Sequence, residues 1–227
     1  MSGGPSPKIG LVDYGSGNLR SVQRALEHEG ADVVHVRRPG DAAACVALVV
    51  PGVGSFGDCA RQLREAGLWE FILEWLAADR PYLGICLGYQ LLFESSEESP
   101  GVGGFGALPG KVVHFPEESG LKIPHMGWNQ LRRRVPGDRL LKGLGEDPDF
   151  YFVHSYYPVP SDAAVITTTC SYGVEFAASV TRGNISGVQF HPEKSQKLGL
   201  AMLRNFIHSL PRPLASSSPI HAPLPSH

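Results

Sequence analysis

The segment Gly84-Ile85-Cys86-Leu87-Gly88 constrains the fold of this chain more than any other. It joins an apolar run typical of a strand, residues 81–85, to one typical of a helix, residues 87–93. Small residues two positions before and after a nucleophile allow a sharp strand-to-helix turn that exposes its side chain. The N-terminus of the following helix favours a thiolate and any oxyanion beside it. Cys86 is therefore a candidate nucleophile; the alternative is a buried structural cysteine.

A second segment supplies the groups that a thiol nucleophile needs. An apolar run typical of a strand, residues 185–190, ends in His191, and Glu193 follows two positions later. A nucleophile needs a base and the base needs an orienting group, so Cys86, His191 and Glu193 fill the three roles of a triad. Open parallel sheets place their sites at strand ends, where these residues fall. Alternatively, His191 is a hydrogen-bonded strand-end histidine and Glu193 a solvated charge in a turn.

Composition narrows the classes of protein to which this triad can belong. The 227 residues, 42% hydrophobic and 19% charged, suit one large domain with a substantial core. A net charge of -2 argues against a nucleic-acid binder. Residues 132–134 form the one dense basic run, Arg-Arg-Arg, which we interpret as a solvated hairpin rather than a phosphate or partner contact.

Cysteine spacing and the absence of targeting signals indicate a reducing compartment. The four cysteines have no paired spacing, which predicts neither a disulfide framework nor a metal site. Residues 1–7 lack the charged and apolar regions of a signal peptide, and no stretch approaches the ~18 apolar residues of a membrane span. We therefore expect a cytoplasmic protein that neither binds nor crosses a membrane.

Strand-like and helix-like segments alternate in the first half of the chain, which predicts an α/β fold with a parallel sheet flanked by helices. The predicted strands are residues 8–13, 32–36, 47–50 and 81–85, and the helices are residues 18–30, 57–66, 68–78 and 87–93. Short strands then indicate an antiparallel or mixed extension of the sheet. These are residues 111–115, 127–133, 150–156, 164–169 and 173–179.

The last periodic segment, residues 196–210, predicts a helix over the sheet's outer face. We expect a single domain over residues 8–210. It is flanked by a flexible N-terminus over residues 1–7 and by a tail over residues 211–227, whose Pro- and Ser-rich composition predicts disorder.

A glycine-rich loop, Pro51-Gly52-Val53-Gly54, follows the third strand. Its spacing lets backbone N–H groups approach a ligand. A donor from Gly52 or Val53 would complete an oxyanion hole whose first donor is the Leu87 N–H; the alternative is a tight turn alone. A similar segment, residues 15–18, lacks the third glycine of a dinucleotide fingerprint, so we expect no nucleotide there.

Several motifs together carry a resemblance to a known family. GICLGYQ at residues 84–90 and His-Pro-Glu at residues 191–193 resemble the class I, triad-type glutamine amidotransferases. Four further motifs resemble one branch of that family, the glutaminase subunits of imidazole glycerol phosphate synthases, over about residues 8–210. They are DYGSGNL (13–19), PGVGSFG (51–57), PHMGWN (124–129) and FVHSY (152–156). The resemblance implies a flavodoxin-like three-layer fold, with a mostly parallel central sheet and an antiparallel extension.

The resemblance also implies a reaction that needs no cofactor. The Cys86 thiolate attacks the side-chain amide of glutamine, and the thioester is then hydrolysed to glutamate. His191 transfers the protons, and Glu193 orients it. The residues implied to surround the glutamine are Gly54, Gln90, Ser155 and Tyr156.

A partner is implied as well: a (β/α)₈-barrel cyclase in a heterodimer with this chain. It would use the ammonia to convert phosphoribulosyl-formimino-AICAR-phosphate into imidazole glycerol phosphate and AICAR, in histidine biosynthesis. Trp is enriched at protein interfaces, which favours a partner contact for Trp128. The alternative is that Trp128 packs in the core. The residues implied to face the cyclase are Asn18, Trp128, Asn129, Tyr151 and Lys194.

Three other functions are compatible with parts of the sequence. A glutaminase subunit for anthranilate or pyridoxal phosphate synthesis would share the triad but lack the His-Met-Gly-Trp-Asn motif. A cysteine peptidase or sensor of related architecture would keep the elbow without His-Pro-Glu. A non-enzymatic binding module would need no base.

Overall fold

A computed structural model describes residues 6–15, 17–116 and 120–211. The predicted flexible N-terminus, residues 1–7, lies outside the described residues over 1–5, and the predicted tail, residues 211–227, lies outside them over 212–227. The helices are α1 (Leu19–His28), α2 (Phe56–Glu65), α3 (Trp69–Ala77), α4 (Leu87–Gln90) and α5 (Gln196–Ser209).

Strands alternate with these helices up to residue 90 and dominate thereafter. The first six are β1 (Lys8–Val12), β2 (Asp32–Val36), β3 (Ala47–Gly52), β4 (Tyr82–Cys86), β5 (Ser95–Ser96) and β6 (Gly110–His114). The others are β7 (His125–Gln130), β8 (Arg132–Arg133), β9 (Asp149–His154), β10 (Tyr156–Pro160), β11 (Ile166–Tyr172), β12 (Val174–Arg182) and β13 (Ile185–Val188).

One eight-stranded sheet organises the fold, in the order β2-β1-β3-β4-β13-β12-β11-β8. The strands from β2 to β13 in this order are parallel, and β12, β11 and β8 continue the sheet in antiparallel pairing. The predicted mostly parallel sheet with an antiparallel extension is thus confirmed. Two smaller sheets, β10-β6-β5 and β7-β9, lie beside it.

Alternating apolar side chains pack the two faces of the sheet into separate layers. In β1, Ile9 and Leu11 belong to a core cluster that includes residues of α1 and α5, whereas Val12 belongs to the cluster on α2 and α3. Successive side chains of a strand point to opposite faces, so each buried strand supplies both clusters. The result is the three-layer arrangement that the sequence predicts.

The helix after Cys86 is shorter than predicted: it ends at Gln90, whereas the sequence predicts a helix to residue 93. The carbonyl groups of Leu91, Leu92 and Phe93 accept hydrogen bonds from the backbone of residues 105–108. The chain leaves the α-helix because the N–H groups of Leu92 and Phe93 bond the carbonyls three residues back, at Tyr89 and Gln90, instead of four.

Two predicted strands are each divided in the structure. The segment 127–133 forms β7 and β8 in different sheets, because Leu131 between them is fully buried and bonds the backbone of Pro148. The segment 150–156 divides at Ser155, so that β9 pairs with β7 and β10 pairs with β6.

The arginine run is not simply a solvated hairpin. Arg133 donates from Nη2 to the backbone carbonyls of Leu141, Leu144 and Gly145, and so fixes a loop. Arg134 pairs with Glu175 across the surface at 3.4 Å.

Candidate active site

The turn at Cys86 has the geometry of a nucleophile elbow. Cys86 ends β4 with φ 55° and ψ -109°, a conformation that non-glycine residues rarely adopt. A Cβ at Gly84 would overlap the Gly88 backbone, and one at Gly88 would overlap the Val50 carbonyl. Both flanking glycines are therefore required sterically, as the sequence predicts.

Strand pairing brings the three predicted catalytic segments to one edge of the sheet. Gly52, in β3, lies opposite Cys86, at the end of β4. On the other side of β4, Val188 pairs with Ile85, so His191 emerges beside the elbow. The glycine-rich loop thus follows the strand next to Cys86, in agreement with the sequence prediction.

The imidazole of His191 is oriented by a carboxylate. Nδ1 lies 2.8 Å from Oε1 of Glu193, whose side chain is only 2% exposed. The backbone around it is held in place, because the His191 N–H donates to the Tyr151 carbonyl and the Ser195 hydroxyl donates to the His191 carbonyl. These contacts direct the opposite ring nitrogen, Nε2, toward the elbow.

The surroundings of His191 favour its protonated form. Burial alone would lower its pKa, but the Cys86 thiol and the Glu193 carboxylate outweigh burial and raise the pKa to about 10. Nε2 has no hydrogen-bond partner of ordinary geometry among the described residues, so its contact with the sulfur is a loose one. Such contacts tighten when substrate binds.

A cavity of about 400 Å³ lies in front of the elbow. Most of the predicted catalytic and substrate-binding residues line it, whereas Gly52 and Glu193 support it from behind. Its lining comprises Val53, Gly54, Cys86, Leu87, Gln90, Glu98, Pro124, Val153, His154, Ser155, Tyr156, His191 and Lys194.

Glu98 and Gln189 are among the residues of this site that were not identified from the sequence. Glu98 lines the cavity and accepts a hydrogen bond from the Phe56 N–H, at 2.7 Å, and burial raises its pKa. Gln189 is fully buried, with Nε2 3.7 Å from the Cys86 sulfur. No motif marks Glu98, whereas Gln189 lies two residues before His191, a position that could have suggested it.

Four of the five residues predicted to face a partner lie close together. The rings of Trp128 and Tyr151 meet edge to face at 6.1 Å, and Nζ of Lys194 is 5.8 Å from the Tyr151 ring. The Asn129 amide bonds internally to His125 and the Ser171 carbonyl. Asn18 immediately precedes α1, beyond the carboxyl end of β1.

The described residues contain no group of three or more His, Cys, Asp or Glu side chains arranged to hold a metal ion. Among the same residues, no helix is long and apolar enough to span a membrane.

Comparison with known proteins agrees with this geometry. The family model described as glutamine amidotransferase class-I matches residues 10–210. The imidazole glycerol phosphate synthase subunit HisH of Moorella thermoacetica is 50% identical over 87% of this chain and 93% of its own length. The HisH subunit of Geobacter sulfurreducens is 48% identical over 88% and 97%, respectively.

A longer relative and a solved structure extend the comparison. The chloroplastic imidazole glycerol phosphate synthase hisHF of Arabidopsis thaliana is 45% identical over 88% of this chain but only 34% of its own length. The structure of PurLQS from Thermotoga maritima superposes with a TM-score of 0.69 at 20% identity, covering 89% of this chain and 98% of that one. At that identity the likeness concerns the fold.

The chain therefore belongs to the class I glutamine amidotransferases. Enzymes of this class release ammonia from glutamine. Within the class, the chain belongs to the family of imidazole glycerol phosphate synthase HisH subunits. It is accordingly a glutaminase subunit that uses glutamine and works with a partner subunit in histidine biosynthesis.

Proposed function

We propose that Cys86, His191 and Glu193 hydrolyse glutamine through a thioester. One observation carries the proposal: the His191–Glu193 pair, 2.8 Å apart, lies beside the strained Cys86 elbow in a single cavity. The family indicates the substrate, and the geometry supports the proposed assignment of roles.

In the proposed reaction, the sulfur attacks the side-chain carbonyl carbon of glutamine, and the carbonyl electrons move to oxygen. The imidazolium of His191 then gives its proton to the departing nitrogen, which leaves as ammonia when the carbonyl reforms as a thioester. His191, now neutral, takes a proton from water, and the resulting attack releases glutamate and the thiolate. Glu193 holds the imidazole and stabilises its cationic form.

The tetrahedral oxyanion would be stabilised by two backbone donors. One is the N–H of Leu87, the residue after the nucleophile, and the other comes from Gly52 or Val53. The flanking carbonyls are anchored from behind: the Tyr14 hydroxyl donates to the Pro51 carbonyl at 2.9 Å, and the Cys59 thiol donates to the Val53 carbonyl at 3.7 Å. These anchors confine any rotation to the Gly52–Val53 peptide between them.

Polar groups around the cavity would orient the amino-acid part of glutamine. Glu98 is the one carboxylate among the described residues that line the cavity, so it suits the substrate's ammonium group. Gly54, Gln90 and the backbone of Ser155 and Tyr156 would complete the contacts.

The partner proposed for this chain is a (β/α)₈-barrel cyclase that receives the ammonia and converts phosphoribulosyl-formimino-AICAR-phosphate into imidazole glycerol phosphate and AICAR. An exposed apolar surface supports a docked partner: Trp128 is 48% and Met126 62% exposed. The cyclase would contact Trp128, Asn129, Tyr151, Lys194 and Asn18. The four free cysteines suit a cytoplasmic location.

Glutaminase activity is proposed to depend on a cyclase partner that has its own substrate bound. Rotation of the Gly52–Val53 peptide would swap an N–H for a carbonyl facing the substrate, and loss of one oxyanion donor costs roughly 10² to 10³ in rate. Glutamine turnover is compared for the chain alone, the chain with cyclase, and that complex with the cyclase substrate. Turnover should be highest in the last, and equal rates in all three would overturn the dependence.

The nucleophile is tested by Cys86→Ala. The variant should fold and bind the cyclase but release no glutamate from glutamine, while synthesis fed by ammonium persists. Cys45→Ala, which removes another buried thiol, is the matched control and should retain hydrolysis. Glutamate release by Cys86→Ala would disprove the assignment.

A further inference from the structure

A buried amide contacts the sulfur of the proposed nucleophile. Nε2 of Gln189 lies 3.7 Å from Sγ of Cys86. Gln189 follows β13, is completely buried, and donates its backbone N–H to the Ala178 carbonyl. The thioester mechanism does not use this side chain, although it touches the reacting atom.

A backbone carbonyl determines which end of the amide faces the sulfur. The Tyr156 carbonyl can only accept, and it lies 2.9 Å from the Gln90 amide, which must therefore present its NH₂ group there. The same NH₂ group is 3.1 Å from Gln189, so Gln189 must present its oxygen to Gln90. Its own NH₂ group is then directed at the sulfur. Flipping either amide would place two acceptors or two donors in contact.

The carbonyl that starts this chain of hydrogen bonds is itself held in place. His154 Nδ1 lies 2.9 Å from the Tyr156 oxygen, and His154 is buried. A carbonyl oxygen has two lone pairs, so it can accept from both His154 and Gln90. The orientation of Gln189 is therefore fixed by backbone and buried side chains rather than by solvent.

We propose that Gln189 donates a hydrogen bond that stabilises the thiolate of Cys86 and directs the sulfur, with Gln90 and the Tyr156 carbonyl fixing the donor's orientation. A donor favours the charged form of the group that accepts from it, and hydrogen bonds to charged groups are stronger than neutral ones. The inference rests on the proposed thioester mechanism, because only a nucleophilic Cys86 gives the donor a catalytic effect.

The titratable groups around the sulfur do not replace this donor. Burial raises the pKa of Tyr14 far above its usual value and that of Cys59 to about 11, so both are neutral at neutral pH. Tyr14 donates to the Pro51 carbonyl. The basic side chains at the cavity are His191, which is paired with Glu193, and Lys194, and neither places an amide donor on the sulfur. Glu98 is the acidic group among the described residues of the lining.

The test replaces Gln189 with Met, which has similar length and no N–H donor. The rate at which iodoacetamide alkylates Cys86 is followed against pH by mass spectrometry of the Cys86 peptide, which separates it from the other cysteines. We expect the midpoint of the rate profile to rise by about one pH unit in Gln189→Met. In the complex with the partner subunit, kcat should fall about tenfold near neutral pH, with KM little changed.

The matched control is Ser186→Ala, which removes a fully buried hydroxyl in β13 that bonds Arg139 and Thr181 instead of the sulfur. Its midpoint should equal that of the unmodified chain. Repeating Gln189→Met in a His191→Gln background separates a direct effect on the sulfur from a displaced histidine, because a direct effect persists there.

Gln90→Met provides a second route if Gln189→Met does not fold. It removes the group that orients the Gln189 amide, so the midpoint should shift in the same direction by a smaller amount. An unchanged midpoint in a folded Gln189→Met chain overturns the inference. Glutamate release by Cys86→Ala would instead overturn the thioester mechanism, and the alkylation comparison would remain valid.

Discussion

Nδ1 of His125 lies 3.0 Å from Nε2 of His154, and both rings are almost completely buried. His154 must carry its proton on Nδ1, because that atom faces the Tyr156 carbonyl. Its Nε2 therefore accepts from His125, whose own Nε2 accepts from the Asn129 amide at 3.2 Å. This arrangement requires both histidines to be neutral.

The neutral pair predicts a loss of stability in acid. Burial lowers the pKa of His125 from 6.5 to about 4 and that of His154 to about 3. Below pH 6.5 the unfolded chain binds two protons that the folded chain excludes, so stability present above that pH is lost as pH falls toward these values. The free energy of unfolding should fall by up to about 2.7 kcal/mol per pH unit, about 1.36 for each histidine.

Urea unfolding between pH 7 and pH 4 measures this slope. His154→Gln keeps a donor for the Tyr156 carbonyl and an acceptor for His125, and it removes one titrating group. The slope of stability against pH should be smaller in this variant than in the unmodified chain. Identical slopes would show that His154 is not held neutral.

The roles within the triad predict unequal losses. His191→Ala removes the proposed proton-transfer group and should abolish glutamine hydrolysis nearly as completely as Cys86→Ala. Glu193→Gln keeps an oxygen that can accept from Nδ1 but removes the charge. The fall in kcat should therefore be about a hundredfold smaller than that in His191→Ala. Steady-state kinetics in the complex measure both, with circular dichroism as the folding control. Equal losses in folded variants would contradict an orienting role for Glu193.

The elbow predicts a steric effect at Gly88. A Cβ at this position would overlap the Val50 carbonyl oxygen in the adjacent strand. Gly88→Ala should therefore destabilise the chain by about 1 to 3 kcal/mol and reduce glutamine hydrolysis. Gly40→Ala is the control, because a Cβ there meets open space. Urea unfolding compares the two variants, and equal stability would contradict the crowding described at the elbow.

Trp128 is predicted to anchor the partner. Its ring is 48% exposed and is supported by Tyr151, a geometry suited to insertion into a pocket. Trp128→Ala should weaken binding of the proposed cyclase partner by about 2 kcal/mol or more, roughly thirtyfold in Kd, as expected at a hot spot. Val159→Ala removes a similarly exposed apolar side chain from β10 and should leave the affinity unchanged. If calorimetric titration gave Trp128→Ala the same affinity for the partner as the unmodified chain, the interface would lie elsewhere.

Local patterns were sufficient to locate the strand ends that carry the candidate catalytic residues. Apolar runs followed by Cys86 and His191 mark two buried strands, and glycine at residues 84 and 88 is a direct consequence of steric crowding at the elbow. These features depend on neighbours in sequence or on one adjacent strand. They could therefore be predicted without knowing the rest of the fold.

Features that depend on distant contacts could not be predicted in this way. The carbonyls of residues 91–93, just after α4, bond the backbone of residues 105–108, and the division between β7 and β8 follows from burial of Leu131. Glu98 joins the cavity because its carboxylate bonds the N–H of Phe56 at the start of α2. Each is a tertiary contact that leaves no periodic signal in the sequence.

The position of β13 links catalytic competence to completion of the chain. This strand lies between β4 and β12 in the sheet, yet it is the last strand of the described residues in sequence order. During synthesis, the thiol of Cys86 emerges long before His191 and Glu193 can join it. Under the proposed mechanism, an unfinished chain would carry the nucleophile without its base and would leave glutamine intact until β13 has joined the sheet.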